Sequence, residues 1–452
     1  MFKLQDLRLG PAAVAAYVAA LAGLYLSAGS LLLAAVAVGL VLLGAAISKP
    51  GRHQDWQGGN FALALALICI VTLIVGMKAY YSGSARQQVG ANQILVIDRE
   101  DANNAYRAHV SGTGESVYFK SERPLRQGEV VTGKCHLRSK FAKCGHMKTV
   151  AAPRPLRRFA NQQKDRLGVK LRGTDPAKSG LIRAMSLGDL RGLDPKVKIA
   201  LKNTSLTHLT AVSGTHVAIV LATIMSLSAP LKRHIRLVLA AALLAVFMFM
   251  VGPAPSVVRS GLMAGIGILG KQLGRSGGAF AGLATVTIVL LAIDPLIATD
   301  LGFALSVCAT AGIILFSGEI AQWTRLPKIF AEPTAVAIAA TISSTPVLLL
   351  LQDHVAMTAL PANLMATPAV ALTTLGGLAT LFPAADIFGK PLAVAGATWI
   401  ITVAKLFAHL PFALAPWVRG PIGAIAYVLS SAALCFAGYL HHREKYRWHV
   451  AS

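Results

Sequence analysis

The sequence predicts a polytopic α-helical membrane protein that carries an external domain inserted after its third membrane span. Hydrophobic residues make up 55% of the chain and charged residues only 14%, with a mean hydropathy of +0.60, whereas soluble domains carry about 25% charged residues. Apolar runs of about 20 residues, long enough to cross a hydrocarbon core, recur along the chain. One long polar segment, residues 81–205, interrupts them. This composition excludes a soluble enzyme and a disordered chain.

Twelve apolar runs are candidates for membrane spans. Three of them lie in residues 1–80 and begin near Pro11, Ser30 and Asn60. The other nine lie in residues 206–440 and begin near Leu206, Arg236, Ser256, Ala279, Leu301, Pro333, Leu360, Pro391 and Pro421. Residues 441–452 form a basic tail. An even number of spans puts both termini on the same side of the membrane.

The distribution of Lys and Arg in the short loops predicts the orientation. Loops and tails on the side of the termini carry fifteen of these residues, and the opposite short loops carry only Arg419. The side richer in Lys and Arg is the cytoplasmic side. We therefore expect both termini in the cytoplasm and residues 81–205 outside.

The external segment carries most of the positive charge of the chain. The whole sequence has a net charge of +24, and residues 81–205, with 24 Lys and Arg against 10 Asp and Glu, account for +14 of it. Long loops escape the rule that governs orientation. The excess therefore indicates an anionic partner outside the membrane.

Short β-prone runs in residues 81–150 predict a small β-barrel. The runs cover residues 93–97, 106–110, 116–119 and 130–137, separated by turn residues. Aromatic residues alternate with cations in and around them, a pattern that can stack bases and neutralise phosphates of a single strand. The candidate DNA-binding residues are Tyr106, Arg107, Tyr118, Phe119, Lys120, Arg123, Arg126 and Arg138. The alternative is that the aromatic residues form the barrel core.

Residues 151–205 combine a basic amphipathic stretch with a glycine-rich turn. Apolar residues spaced among the cations of residues 153–178 predict a helix at the outer membrane interface, in contact with lipids. The turn contains Gly188, Asp189 and Arg191, which we interpret as a gate over a pore. The alternative role for its Asp residues is helix capping.

A polar string at the start of the fourth span contains His208, Ser213, Gly214 and His216. Ionisable residues inside spans are costly and usually face a cavity, so these residues are pore-lining candidates. The alternative is an interfacial helix start with two half-exposed histidines. Arg259 lies one turn inside a later span, where it either lines the same path or reaches the outer headgroups.

The sequence lacks the motifs of an ATP-driven or metal-dependent enzyme. It has no Gly-x-x-x-x-Gly-Lys-Ser/Thr phosphate loop and no dense His and Asp cluster. We expect neither a metal nor a cofactor, and a channel or transporter without catalytic residues.

Several strings in the membrane region resemble the ComEC family of competence DNA-uptake channels. They are the run from Leu181 to Val220, which contains Gly188, Asp189 and the string from His208 to His216, the segment Pro253–Ser260, the stretch Asp294–Ser306, Thr345-Pro346, and the run Leu360–Pro368 with Asn363. The order of three spans followed by an external barrel is also that of the family.

The resemblance implies a channel for single-stranded DNA in the cytoplasmic membrane, with an external OB-like barrel that binds the strand. It adds Asn363 to the pore-lining candidates and implies a disulfide between Cys135 and Cys144. Many members carry a C-terminal metallo-β-lactamase-like nuclease domain, which we expect this chain, ending at Ser452, to lack. The expected partners are then an external DNA receptor, a separate nuclease, and a cytoplasmic ATPase or single-strand-binding protein. The alternative function is transport of another anionic polymer or a small solute.

Overall fold

The computed structural model describes residues 13–14, 16–18, 93–101, 105–110, 116–121, 124–137, 142–252, 254–272, 278–324 and 326–434. The three predicted spans of residues 1–80, apart from five residues between Ala13 and Val18, and the basic tail lie outside the described residues. The chain divides into two compact units. The first comprises residues 1–169, 187–191 and 217–303, and the second comprises residues 170–186, 192–216 and 304–452.

Five strands of the first unit close into a barrel. They are β1 (Gln93–Asp101), β2 (Ala105–Val110), β3 (Ser116–Lys120), β4 (Val130–Leu137) and β5 (Ala142–Ala151). Their order around the barrel is β1-β2-β3-β5-β4, with β1 also paired to β4. The β3–β5 pair is parallel and the other pairs are antiparallel. The four predicted β-prone runs all fall within these strands.

Alternate residues of the strands fill the barrel interior. Because successive side chains of a strand point to opposite faces, Leu95 and Ile97 of β1 point inward together, as do Tyr106 and Ala108 of β2. Leu125, from the loop between β3 and β4, is also fully buried, and its backbone N–H donates to the Tyr106 hydroxyl at 3.0 Å. This loop therefore closes one part of the barrel.

Twelve helices follow the barrel in the described part of the chain. They are α1 (Pro155–Lys170), α2 (Pro176–Leu187), α3 (Pro195–Asn203), α4 (Gly214–Leu227), α5 (Arg233–Val251), α6 (Pro255–Gln272), α7 (Ala279–Ile293), α8 (Leu301–Trp323), α9 (Lys328–Leu349), α10 (Ala359–Ala379), α11 (Asp386–Ala408) and α12 (Pro421–Leu434). Two single 3₁₀ turns, Leu206–Leu209 and Pro295–Thr299, and two short paired strands, β6 (His354–Ala356) and β7 (Leu414–Pro416), complete the elements.

The helices from α4 to α12 agree with the predicted apolar runs. Each begins within eight residues of a predicted start. Five of them, α5, α8, α9, α10 and α11, are long and apolar enough to cross a membrane, and the other four are shorter. A helix such as α4, with 14 residues, is about 21 Å long and does not by itself span a core of about 30 Å. The chain is thus a helical, multi-pass membrane protein.

Cations of α1 cap the C-terminal end of α5 in the first unit. The Lys164 ammonium donates to the carbonyl oxygen of Val251 at 3.0 Å, and an Arg157 N–H donates to that of Phe249 at 3.0 Å. The Arg157 guanidinium also lies 4.5 Å from the centre of the Phe249 ring. The last carbonyls of a helix lack intrahelical partners and carry partial negative charge. Basic side chains of α1 therefore stabilise this helix end.

The loop after α5 fits closely against the barrel. Gly252 has φ +109°, and a Cβ at this position would lie 2.4 Å from Nε2 of Gln127 in the β3–β4 loop. The Asn161 amide of α1 donates to the Gln127 carbonyl at 2.9 Å. The β3–β4 loop of the barrel, α1 and the end of α5 are thus joined by hydrogen bonds and close contacts. At position 252, where these elements meet, only glycine fits.

The second unit is organised around the antiparallel pair α10 and α11. Small residues form their interface, where Gly376 faces the backbone of Gly389 and Ala393, and Gly396 faces Thr373. Small side chains let membrane helices approach closely. The pair therefore packs backbone to backbone.

Helix α2 packs into this unit instead of lying at an outer interface. Its residues Leu181, Ile182 and Met185 are fully buried, and Ser186 contacts Gly377 of α10. The interfacial helix predicted over residues 153–178 is thus limited to α1. Leu156 and Phe159 of α1 are indeed exposed. Their contact with lipid stays a prediction.

The position of Lys170 conflicts with the predicted orientation. Its ammonium binds the Asp386 carboxylate at 2.9 Å, and its carbonyl accepts from the Lys390 ammonium at 3.0 Å. The predicted span number and the distribution of Lys and Arg place Lys170 outside the membrane and Lys390 in the cytoplasm. At least one of these two placements is therefore wrong.

We predict a disulfide between Cys135 and Cys144. The two residues are paired directly across β4 and β5, and opposite residues of an antiparallel pair lie close enough for such a bond in suitable pairs. Their side chains lie outside the described part. Thiol labelling by mass shift in intact cells should modify neither residue before reduction and both after it. Labelling of both without reduction would contradict the prediction.

Candidate functional site

The predicted stacking residues Tyr106 and Phe119 belong to the barrel core. Both side chains are fully buried, and their rings lie 5.7 Å apart. They are opposite each other on β2 and β3, so both point to the same, inner face. Neither ring is accessible to a DNA base, and this part of the predicted DNA-binding set is wrong. The alternative role as core residues is the correct one.

Arg107 is also engaged inside the protein. Its side chain is only 9% exposed and forms a salt bridge with Asp294, directly after α7. Arg107 alternates with its buried neighbours and so points outward from the barrel, where Asp294 meets it. Its charge holds the barrel against the end of α7 and is not free for a phosphate.

The remaining predicted DNA-binding residues divide into two groups. Lys120 and Arg126 are exposed. The Tyr118 side chain, Arg123 and Arg138 lie outside the described residues. The DNA-binding role of all five stays a prediction.

The predicted gate turn, residues 188–191, is a compact turn. Gly188 has φ +66°, which a side chain would disfavour. The Asp189 carboxylate is nearly fully buried and accepts from Nε of Arg191 at 2.8 Å and from the Arg191 backbone N–H at 3.1 Å. The N-cap of α3 is Asp194, which accepts from the backbone of Lys196 and Val197.

A second carboxylate joins the gate turn to the barrel loop and α1. Asp165 of α1 accepts from Arg126 at 2.6 Å and from Arg191 at 3.1 Å. The two arginines and the carboxylates of Asp165 and Asp189 form one ion cluster in the first unit. We call it the gate cluster.

His216 closes the start of α4 as a capping residue. Its Nδ1 accepts from the backbone N–H of Ser213 at 3.1 Å, and the Ser213 hydroxyl lies 3.0 Å from the same nitrogen. The first of these contacts is one half of a capping box, in which the third helical residue reaches back to the backbone N–H of the residue before the helix. Because a backbone N–H only donates, Nδ1 is unprotonated in this arrangement. His216 is completely buried, and its Nε2 has no hydrogen-bond partner in the described part.

The other pore-lining candidates of the second unit are more accessible. The exposed His208 donates from Nδ1 to the Ser205 carbonyl at 3.0 Å, since a carbonyl only accepts. Ser213 and Gly214 are half-buried, as is Asn363, whose amide donates to the Ala359 carbonyl at 2.9 Å. The turn Leu206–Leu209 packs against α10, the helix of Asn363.

Arg259 is buried in the first unit. Its side chain, on α6, donates to the Ser260 hydroxyl and approaches the Met263 sulfur, each at 3.1 Å. At 3% exposure it is open neither to the headgroups nor to an aqueous path in this conformation. The burial does not separate the two interpretations of Arg259, and the pore-lining role stays a prediction.

The family assignment rests on the membrane region. The model of the Competence protein family matches residues 185–444, more than half of the chain. The chain belongs to this family. It is 27% identical over 195 residues to ComE operon protein 3 of Bacillus subtilis (strain 168), an alignment that covers 43% of this chain and 25% of that protein. No solved structure matches.

Two residues of this ComEC-family chain contribute to the site although the sequence patterns did not single them out: Asp165 joins the gate cluster and Lys164 caps α5. Asp294, known from the sequence only as the start of a family-like stretch, holds Arg107. One signal points to the first of them: Asp165 is the only acidic residue between Val130 and Thr174, a stretch with twelve Lys and Arg. Among the described residues, no group of three or more His, Cys, Asp or Glu can hold a metal ion.

We predict that Arg107→Met destabilises the protein by about 3 kcal/mol, because removing one partner of a buried ion pair leaves the other charge uncompensated. Arg126→Met, which breaks an exposed pair, should cost at most about 1 kcal/mol. The double variant Arg107→Met/Asp294→Asn should be little less stable than Arg107→Met alone. Melting temperatures of the detergent-solubilised variants test this, and equal losses for Arg107→Met and Arg126→Met would refute it.

Proposed function

We propose that this ComEC-family chain carries a single strand of DNA across the cytoplasmic membrane during natural transformation, and that its external barrel region binds the strand first. One observation carries the proposal. A segment with a net charge of +14, which contains a closed barrel, is joined to the helices of a competence-family membrane region. A polyanion is the partner that such a surface attracts.

The barrel architecture supports an OB-like domain. A small closed barrel of five strands, with a non-sequential strand order and a parallel β3–β5 pair, agrees with the Greek-key barrels that bind oligonucleotides. The opposite signs of the barrel surface and of DNA support the same function. We therefore assign strand binding to the barrel and α1.

The binding surface we propose differs from the one predicted from the sequence. The proposed surface leaves out the buried rings of Tyr106 and Phe119 and consists of exposed cations of the first unit. These are Lys120, Arg126, Lys148, Arg154, Arg158 and Arg166. Contacts of this kind go to phosphates and carry no sequence information. The surface should therefore bind any single strand.

The path through the membrane is proposed for the polar residues of the helical region. His208 and Ser213 precede or begin α4, Asn363 lies on α10, and Arg259 lies on α6. Buried polar groups within spans mark ion and substrate pathways. His216 supports the path by holding the start of α4 rather than by touching the strand.

We predict that the full chain in nanodiscs of neutral lipid binds a fluorescein-labelled dT20 oligonucleotide with strong salt dependence. The logarithm of the binding constant should fall with a slope of about −0.7 per phosphate contact. Fluorescence anisotropy at several salt concentrations measures it. Replacing both Lys120 and Lys148 by Gln should make the slope shallower by about 1.4, because two phosphate contacts are lost.

Lys232→Gln is the matched control, because this exposed lysine precedes α5 on the predicted cytoplasmic side. It should leave the slope unchanged. A slope near zero for the unmodified protein would contradict strand binding by these cations.

We further predict that Arg259→Met stops entry of labelled DNA into cells while surface binding persists, because the strand loses a cationic partner within the membrane. Arg259→Lys should retain part of the uptake. Internalised, nuclease-protected label gives the measurement, and protein abundance in the membrane fraction gives the control. Normal uptake by Arg259→Met would show that this residue only packs α6.

A further inference from the structure

The gate cluster brings two arginines onto one accessible carboxylate. Asp165 Oδ2 accepts from Nη1 of Arg126 at 2.6 Å, and its Oδ1 accepts from Nη2 of Arg191 at 3.1 Å. The side chains of Arg126, Asp165 and Arg191 are 52%, 36% and 26% exposed. A carboxylate held between two guanidinium groups at a solvent-accessible site occupies the position in which a phosphate binds.

We propose that Asp165 acts as an internal substitute for a DNA phosphate. An arriving strand displaces its carboxylate, a phosphodiester group bridges Arg126 and Arg191, and the gate turn is released from α1. This inference rests on the proposed function and names the ligand chemistry and the release step of that site. No covalent chemistry is involved.

The local charge pattern favours a displaceable contact over a purely structural one. Asp165 is the only carboxylate in a long basic stretch, so it repels the polyanion that every neighbouring charge attracts. Ion pairs at exposed positions contribute little stability. The Asp165 contacts are therefore weak enough for a phosphate, which brings its own charge-assisted bonds, to replace them.

The backbone around Arg191 permits the release. Gly188 and Gly192, with φ +66° and +76°, flank Asp189 and Arg191, and glycine changes its backbone angles at low cost. The turn belongs to the first unit, whereas the residues on both sides of it belong to the second. Arg191 is one of the side chains that join this turn to α1.

Binding of labelled dT20 to the full chain in neutral nanodiscs tests displacement. Asp165→Asn should raise the affinity about fivefold with an unchanged salt slope, because the same phosphates are contacted without a competitor. Arg191→Gln should make the slope shallower by about 0.7, one contact, because Arg191 is not among the exposed cations of the binding surface and reaches a phosphate only when Asp165 leaves. If Asp165 is never displaced, Arg191→Gln leaves the slope of the unmodified protein unchanged, and the proposal is wrong.

Glu332→Gln, at an exposed position of α9, removes the same charge elsewhere and is the matched control. Equal affinities for Asp165→Asn and Glu332→Gln would also overturn the proposal while leaving the proposed function intact. Failure of the unmodified protein to bind dT20 would refute the proposed function and, with it, this inference.

Amide hydrogen exchange measures the release of the gate turn, residues 188–191, from α1. The Arg191 amide is bonded to Asp189, and mass spectrometry resolves a peptide covering residues 187–193. In the unmodified protein dT20 should accelerate exchange of this peptide, and in Asp165→Asn exchange should be fast before dT20 is added. Exchange that slows with dT20, or that is identical in the two proteins without it, would contradict the release step.

Discussion

The first unit depends on a contact between the cations of α1 and the C-terminal end of α5. The last carbonyls of α5 need donors, and the end of a helix carries partial negative charge that is screened poorly away from water. Lys164 and Arg157 satisfy both needs. Because Asn161 of the same helix binds the Gln127 carbonyl, the barrel loop is fixed to the membrane helix through α1. A neutral helix in this place would leave the carbonyls unpaired and the barrel unattached at this point.

Part of the positive charge of residues 81–205 is neutralised by ion pairs within the protein. Arg107 pairs with Asp294, and Arg126 and Arg191 share Asp165. The sequence total of +14 therefore overstates the free charge that faces solvent. The exposed cations that remain keep the segment basic, and with the rings of Tyr106 and Phe119 buried, the proposed binding depends mainly on phosphates. Such binding is fast and insensitive to sequence, which suits the proposed uptake of any strand.

Features that depend on local periodicity could be predicted from the sequence, and features that depend on tertiary contacts could not. Apolar runs located α4 to α12, and the β-prone runs located four of the five strands. Alternation along β2 and β3 could also have placed Tyr106 and Phe119 inside, since each strand sends every second residue to one face. Arg107 points outward by the same rule, and no local signal shows that Asp294, far along the chain, covers it. The sequence identifies the string from His208 to His216 as polar, but only the structure shows that His216 caps the start of α4.

The conflict between the predicted orientation and the contacts of Lys170 also arises from tertiary contacts that the sequence patterns do not show. Hydropathy and cation counts assume that each apolar run crosses the bilayer and that polar segments stay outside. Helix α2 is too polar to be counted as a span, yet Leu181, Ile182 and Met185 are completely buried in protein, and Ile182 faces Gly377 of α10. A segment covered by protein is free of the composition that lipid imposes. Residues 170–186 and 192–216 thus belong to the second unit through side-chain packing, with α2 on α10 and α3 on α11, and the string from His208 to His216 follows α3.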